Sequence, residues 1–254
     1  MPPKRSKAAV RKRLLAIYDR LRIHFGHRDW WPGDTRLEIC VGAVLTQNTA
    51  WKNVERAIAN LKQAEALSVG RLLALPLDEL AQLIRPAGYY NLKARRLRAV
   101  LEFLAANGGA DFSRFADWSL EAFRGQLLAV YGVGPETADS ILLYAFDRPT
   151  FVIDAYTRRI FARLGLSEPD ASYENLQRLF MSALDTDAPL FNDYHAQIVA
   201  LGHHICRPAP HCEACPLESL CEKRGVEITA ASPGPTAKAR RPRRRSRSAR
   251  RPTS

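Results

Sequence analysis

The sequence predicts an all-α protein of two helical domains, and three observations carry that expectation. Apolar residues recur at helical spacing along most of residues 14–204. No stretch alternates apolar and polar residues over the length of a strand, and Phe151-Val152-Ile153 is too short to carry a sheet. Proline, glycine and capping residues punctuate the periodic segments where helices should begin and end.

Taken in order, Leu14, Ile17, Tyr18 and Leu21 mark a first helix. Thr35-Arg-Leu-Glu38 has the pattern of a capping box, and Leu37, Cys40, Val41, Val44 and Leu45 follow on one face. Trp51, Val54, Ile58 and Leu61 form a second stripe. A short helix carries Leu77, Leu80, Leu83 and Ile84, opened by Pro76 and closed by Pro86 and Gly88. A long one runs from Leu92 to Leu104 and stops at Asn107-Gly108-Gly109. Ser119 can cap the next, through Val130, and further helices are expected near 135–146, 155–164, 172–184 and 189–204. Boundaries at Trp30-Trp31-Pro32-Gly33 and at Arg148-Pro149 suggest a central domain over 30–148. A C-terminal helical domain over 149–224 would then pack with the N-terminal helix of 1–29.

Hydrophobic residues make up 46% of the 254, enough for a sizeable core. No run of about 18 apolar residues exists, and no signal-peptide core follows the basic start, so neither a membrane partner nor export is expected. A cytoplasmic, nucleoid-associated protein, bacterial and monomeric, is the expectation. The net charge is +12, and Lys238, Arg240, Arg241, Arg243, Arg244, Arg245, Arg247, Arg250 and Arg251 supply nine of those charges with no acid after Ala230. A tail of Arg, Pro, Ser and Ala over 225–254 cannot bury a core and is expected to be disordered. It suits a polyanion such as nucleic acid, through release of counterions, or serves solubility alone.

Four cysteines, Cys206, Cys212, Cys215 and Cys221, fall in CRPAPHCEACPLESLC with gaps of five, two and five residues. Structural zinc sites usually offer two close pairs set well apart. One compact four-thiol loop better suits a [4Fe-4S] cluster, with zinc the alternative. No flavin, nicotinamide or second cluster site accompanies it, so a structural cluster is the plainer expectation. Cys40 sits apart on an apolar face, as a core residue.

The stretch GVGPETADSILLYAFDRPTFVID, residues 132–154, reads as a turn at Gly132-Val133-Gly134 between two helices, with Pro135 opening the second. Uncovered N–H groups at such a turn make an anion site that suits a phosphodiester; alternatively it is only a tight turn. Asp154 precedes a helix and is either its N-cap or a carboxylate aimed into a cleft.

G-V-G-x-x-T-A, the apolar run, V-I-D and the four-cysteine loop, in that order, resemble the helix–hairpin–helix superfamily of DNA glycosylases, in its endonuclease III branch. The likeness spans most of residues 30–224. It implies two helical domains with a DNA groove between them and double-stranded DNA with a damaged base as partner. It also implies base excision through Asp154 as the essential aspartate and a [4Fe-4S] cluster on the four cysteines. The first cysteine gap is one residue shorter here than is usual in endonuclease III. Gln47 in LTQNT falls where the family fills the gap left by an extruded base, and Tyr89 in AGYYNLKA matches a second wedge. Glu136 stands where bifunctional members carry the lysine that forms a Schiff base. No lysine occurs between Lys93 and Lys223, so only Lys52, Lys62 or Lys93 could reach in from the other domain. A monofunctional glycosylase is therefore expected, with Glu136 facing solvent or paired with arginine. HRDWWPGD, AVLTQNT and RPAGYYNLKA are closest to the 3-methyladenine glycosylases of the endonuclease III type. By that likeness Trp30, Trp31 and Pro32 form the wall of a base pocket. Oxidised pyrimidines or mispaired bases as substrates, or a DNA-binding protein without catalysis, stay open as alternatives.

Overall fold

A computed structural model describes residues 6–28, 30–109 and 111–226; all but the first two residues of the Arg-rich tail lie outside the described residues. Eleven α-helices and no strand occur among them. Helix α1 (Lys7–Phe25) starts at Ser6, whose hydroxyl accepts from the Ala9 N–H, and buries Leu14, Ile17, Tyr18 and Leu21 as the spacing predicts. Helix α2 (Arg36–Leu45) is capped by Thr35 Oγ1, which accepts from the Glu38 N–H at 3.2 Å. The second half of the capping box differs from expectation. The Glu38 carboxylate accepts from the Asp34 N–H at 3.3 Å, one residue beyond the cap, and also pairs with Lys62 at 2.9 Å.

Helix α3 (Trp51–Gln63) buries Val54, Ala57, Ile58 and Leu61. Helix α4 (Val69–Ala74), capped by Ser68, was not legible as a separate element, because six residues show too little of a helical period. Helix α5 (Leu77–Leu83) opens after Pro76 and α6 (Tyr90–Asn107) ends at Gly108, while α7 (Leu120–Leu128) is capped by Ser119. Helix α8 (Pro135–Ser140) continues into a π-helical turn at Ile141–Ala145. Helices α9 (Ala155–Arg163), α10 (Tyr173–Met181) and α11 (Ala188–His204) complete the set.

Two apolar cores organise these helices. The first gathers Cys40, Val41 and Val44 of α2 with Leu97 and Leu101 of α6, Phe115, Phe123 and Leu127. The second joins Leu14, Ile17 and Leu21 of α1 to Phe151, Phe161, Phe180, Phe191 and Ile198. The π-helical turn is where the chain divides its side chains between them. Ile141, Leu142 and Ala145 enter the first core, whereas Leu143 and Tyr144 enter the second. A wider turn swings successive side chains through a different angle than an α-turn, which lets one short segment serve two cores. The lobes are also tied by a polar hub. Asp139, fully buried, accepts from Arg124 of α7 at 2.9 and 3.0 Å, from Thr150 at 3.0 Å and from Gln177 of α10 at 2.9 Å. A buried carboxylate with four such donors is satisfied rather than stranded.

Candidate active site

Between the cores lies a cleft of about 870 Å³. It is lined by Trp30, Trp31, Gln47, Gly132, Val133, Gly134, Glu136 and Asp154, residues drawn from four separate stretches of chain. Pro32 is not among them. It lines a neighbouring depression with Gly33, Asp34 and Lys62, because the chain turns away after Trp31 to enter α2. Tyr89 does not line the cleft either; it stands 73% exposed in a left-handed conformation just before α6.

The floor is acidic. Asp154 caps α9 with Oδ1, which accepts from the Thr157 N–H at 2.7 Å and from the Thr157 hydroxyl at 2.8 Å. Its Oδ2 lies 3.7 Å from Nε2 of His195. Nδ1 of the same ring is 2.6 Å from the Tyr144 hydroxyl. With Nε2–H facing the carboxylate, Nδ1 accepts from Tyr144. Burial pushes the Asp154 carboxyl up, but His195 and the two bonds from Thr157 together pull it below its ordinary range. The cap and the cleft-facing carboxylate, set as alternatives by the sequence, are thus one residue using two oxygens.

Glu136, in the first turn of α8, meets the opposite outcome. It lines the cleft and is exposed to solvent. Burial raises its carboxyl, the charge of Asp154 raises it further, and His195 and Arg158 only partly offset this. Of the two expected settings, solvent and an arginine partner, Glu136 has the first: it is exposed, and it makes no ion pair among the described residues. Among the described residues no lysine lines the cleft. Lys62 is held by Asp34 at 2.7 Å and Glu38 at 2.9 Å, and Lys93 is buried against two backbone carbonyls.

The wall opposite is aromatic. Trp30 and Trp31, joined by a cis peptide, sit edge-on to each other with ring centroids 5.5 Å apart. Trp51, at the start of α3, stands perpendicular to Trp31 at 5.1 Å, and Tyr144 tilts against Trp31 at 5.0 Å. Gly42 makes room for this cluster, since a Cβ there would lie 3.1 Å from Trp31 Nε1. Trp51 read in the sequence only as part of a packing stripe, and His195 was not singled out at all. Tyr144 therefore links the two walls, touching Trp31 with its face and His195 with its hydroxyl.

The hairpin forms the rim. Gly132 has φ +80° and lies against the Arg96 side chain, which a Cβ there would strike. Gln47 is tied to this turn: its Nε2 donates to the Gly132 carbonyl at 3.0 Å and to Thr137 Oγ1 at 2.9 Å, while Oε1 accepts from Arg96 at 2.6 Å.

Away from the cleft, Cys206, Cys212, Cys215 and Cys221 face one small cavity with Arg163, Ile205 and Lys223 around it. None is in a disulfide. Burial first, then the other three thiols, raise Cys215 to about 11. Arg163 Nη1 donates to Cys206 Sγ at 3.3 Å and the Lys223 N–H to Cys221 Sγ at 3.4 Å, bonds suited to anionic sulfur. No group of three His, Cys, Asp or Glu among the described residues is disposed around a single metal ion. Four thiols facing one cavity are a donor set that a [4Fe-4S] cluster or a zinc ion could use.

The helix–hairpin–helix base excision DNA repair family, HhH-GPD, matches residues 41–185. A protein of Methanocaldococcus jannaschii, provisionally named a DNA repair glycosylase, is 47% identical over 81% of this chain and 94% of its own. Endonuclease III of Thermotoga maritima is 32% identical over 72% of this chain and 81% of its own. Among solved structures, the 3-methyladenine DNA glycosylase of H. pylori bound to 1,N6-ethenoadenine superposes with a TM-score of 0.64. It shares 28% identity, over 78% of this chain and 97% of that one. An endonuclease III–DNA complex gives a TM-score of 0.71 at 23% identity, over 84% and 95% of the two chains, a likeness of fold alone.

Proposed function

The chain belongs to the HhH-GPD superfamily of base excision DNA repair proteins, and within it we propose a monofunctional DNA glycosylase for alkylated purines in duplex DNA. The observation that carries this is the pairing, in one cleft, of an aromatic wall with a carboxylate held below its ordinary range, with no lysine among the described residues that line it. Purines methylated at N3 or N7 are cationic, and the π-faces of Trp30, Trp31 and Trp51 attract a cation. Such a base leaves as a neutral molecule, so its departure needs little help from a general acid. Asp154 then faces the positive charge that develops on the sugar and orients the attacking water. His195 and Thr157 fix that carboxylate, and Tyr144 fixes His195.

Gly132, Val133 and Gly134 hold a backbone phosphate, and Gln47 and Tyr89 fill the space of the extruded nucleotide. Cys206, Cys212, Cys215 and Cys221 hold a [4Fe-4S] cluster, which when bound stiffens the loop beside Arg163. Without an amine in the cleft, the enzyme leaves an abasic site and an intact strand.

The test is a panel of duplexes holding 3-methyladenine, 7-methylguanine, thymine glycol or uracil, each followed with and without alkali. Release of the methylated purines, with nicking only after alkali, is expected. Preferential release of thymine glycol or uracil would overturn the substrate assignment. Efficient borohydride capture on a released site would overturn the monofunctional one.

A further inference from the structure

Lys93 is 1% exposed, yet among the described residues no carboxylate pairs with it. Its ammonium donates instead to the carbonyls of Leu45 and Ala87, at 2.8 Å each. Leu45 ends α2, and Ala87 ends the 3₁₀ turn Arg85–Ala87. Carbonyls at the ends of helical turns carry partial negative charge and lack partners within the helix, so a cation there satisfies two ends at once. The arrangement is not the economical one for stability. Burial, and then Arg96, lower Lys93 to about 8, and an apolar side chain of the same length would fill the space without a buried charge.

What the ammonium joins gives it a purpose. Two residues beyond Leu45 is Gln47, and two beyond Ala87 is Tyr89. Both turns hold a non-glycine residue at positive φ, Asn48 at 52° and Tyr89 at 46°. Backbone of that kind persists only where its surroundings hold it. We propose that Lys93 is a positioning residue that locks the Gln47 and Tyr89 turns together, so that both side chains enter the duplex as one wedge. This rests on the proposed role of those two residues in filling the gap left by an extruded base.

The test uses the full chain and two duplexes, one undamaged and one with a tetrahydrofuran abasic analogue opposite 2-aminopurine. Fluorescence anisotropy gives affinity, and 2-aminopurine emission reports unstacking. Lys93→Met removes both bonds and should lose at least about tenfold of the preference for the abasic duplex, the least that one charged hydrogen bond contributes, and should blunt the 2-aminopurine signal. Binding to undamaged duplex should stay unchanged. Lys93→Gln keeps N–H donors and should recover part of the loss; it also serves if the methionine variant folds poorly. Added to Gln47→Ala, Lys93→Met should cause little further loss, because both act on one wedge. Additive losses, or equal weakening on both duplexes, would mean a merely structural lysine and overturn the proposal. If Gln47→Ala and Tyr89→Ala themselves spare discrimination, the wedge assignment fails and the proposal falls with it. If they abolish discrimination while Lys93→Met spares it, Lys93 alone is excluded.

Discussion

The two acids of the cleft, Asp154 on its floor and Glu136 on its rim, are chemically near-identical and electrostatically opposed. Asp154 accepts two bonds from Thr157, faces His195, and is held below the ordinary carboxyl range. Glu136 makes no ion pair among the described residues and is pushed above that range, by burial first and then by Asp154 itself. The difference lies in neighbours rather than in burial, since burial raises both. An acid that stays charged suits stabilising positive charge in a transition state. One that resists charging suits only the edge of the site.

The sharpest way to break this contrast is Asp154→Asn. Release of methylated purine under single-turnover conditions should fall by roughly 10³-fold or more, with duplex affinity retained. Retained turnover would show that the wrong acid was chosen. His195→Phe probes the support beneath it. Because His195 lowers the Asp154 carboxyl, its loss should raise that pKa. The acid limb of the pH–rate profile should then move to higher pH, with a rate loss of about 10²-fold. A slower enzyme with an unmoved limb would reduce His195 to packing. On the aromatic side, Gly42→Ala places a methyl group against the Trp31 indole. It should weaken retention of a methylated base by about tenfold, the scale of a displaced aromatic contact, while uncatalysed duplex binding is spared. The smallest effect belongs to Glu136→Gln. A carboxyl raised in the fold binds its proton more readily folded than unfolded, so its charged form opposes folding at neutral pH. The variant should melt slightly higher at pH 7. That gain should vanish as the pH falls below the ordinary carboxyl pKa, and base release should change little.

Much of this contrast could be read from the chain, and the unread part has a physical cause. Helices with strong stripes and capping residues, such as α1, α2 and α7, were legible because local sequence decides them. Helix α4 was too short to show a period, and nothing in Ile141–Ala145 announces a π-turn. Asp154 and the hairpin stood out because their spacing is local. His195 did not, since what matters is its 3.7 Å approach to Asp154 from a distant helix. Trp51 shares the packing pattern of its neighbours, and only the fold shows it turned toward Trp31. Lys93 was counted among lysines that could reach the cleft, and its burial against Leu45 and Ala87 excludes that.

The Asp139 hub has a consequence for how damage would be found. Donors from both lobes converge on one buried carboxylate, so opening the jaws would strand a charge in the interior. A cleft braced in this way has little compliance of its own. On the proposed function, the yielding would fall to the duplex, which bends and unstacks most readily where a lesion has already weakened it. In mechanical terms the protein would serve as an anvil rather than a pair of tongs, sorting sites by how easily the DNA deforms against it.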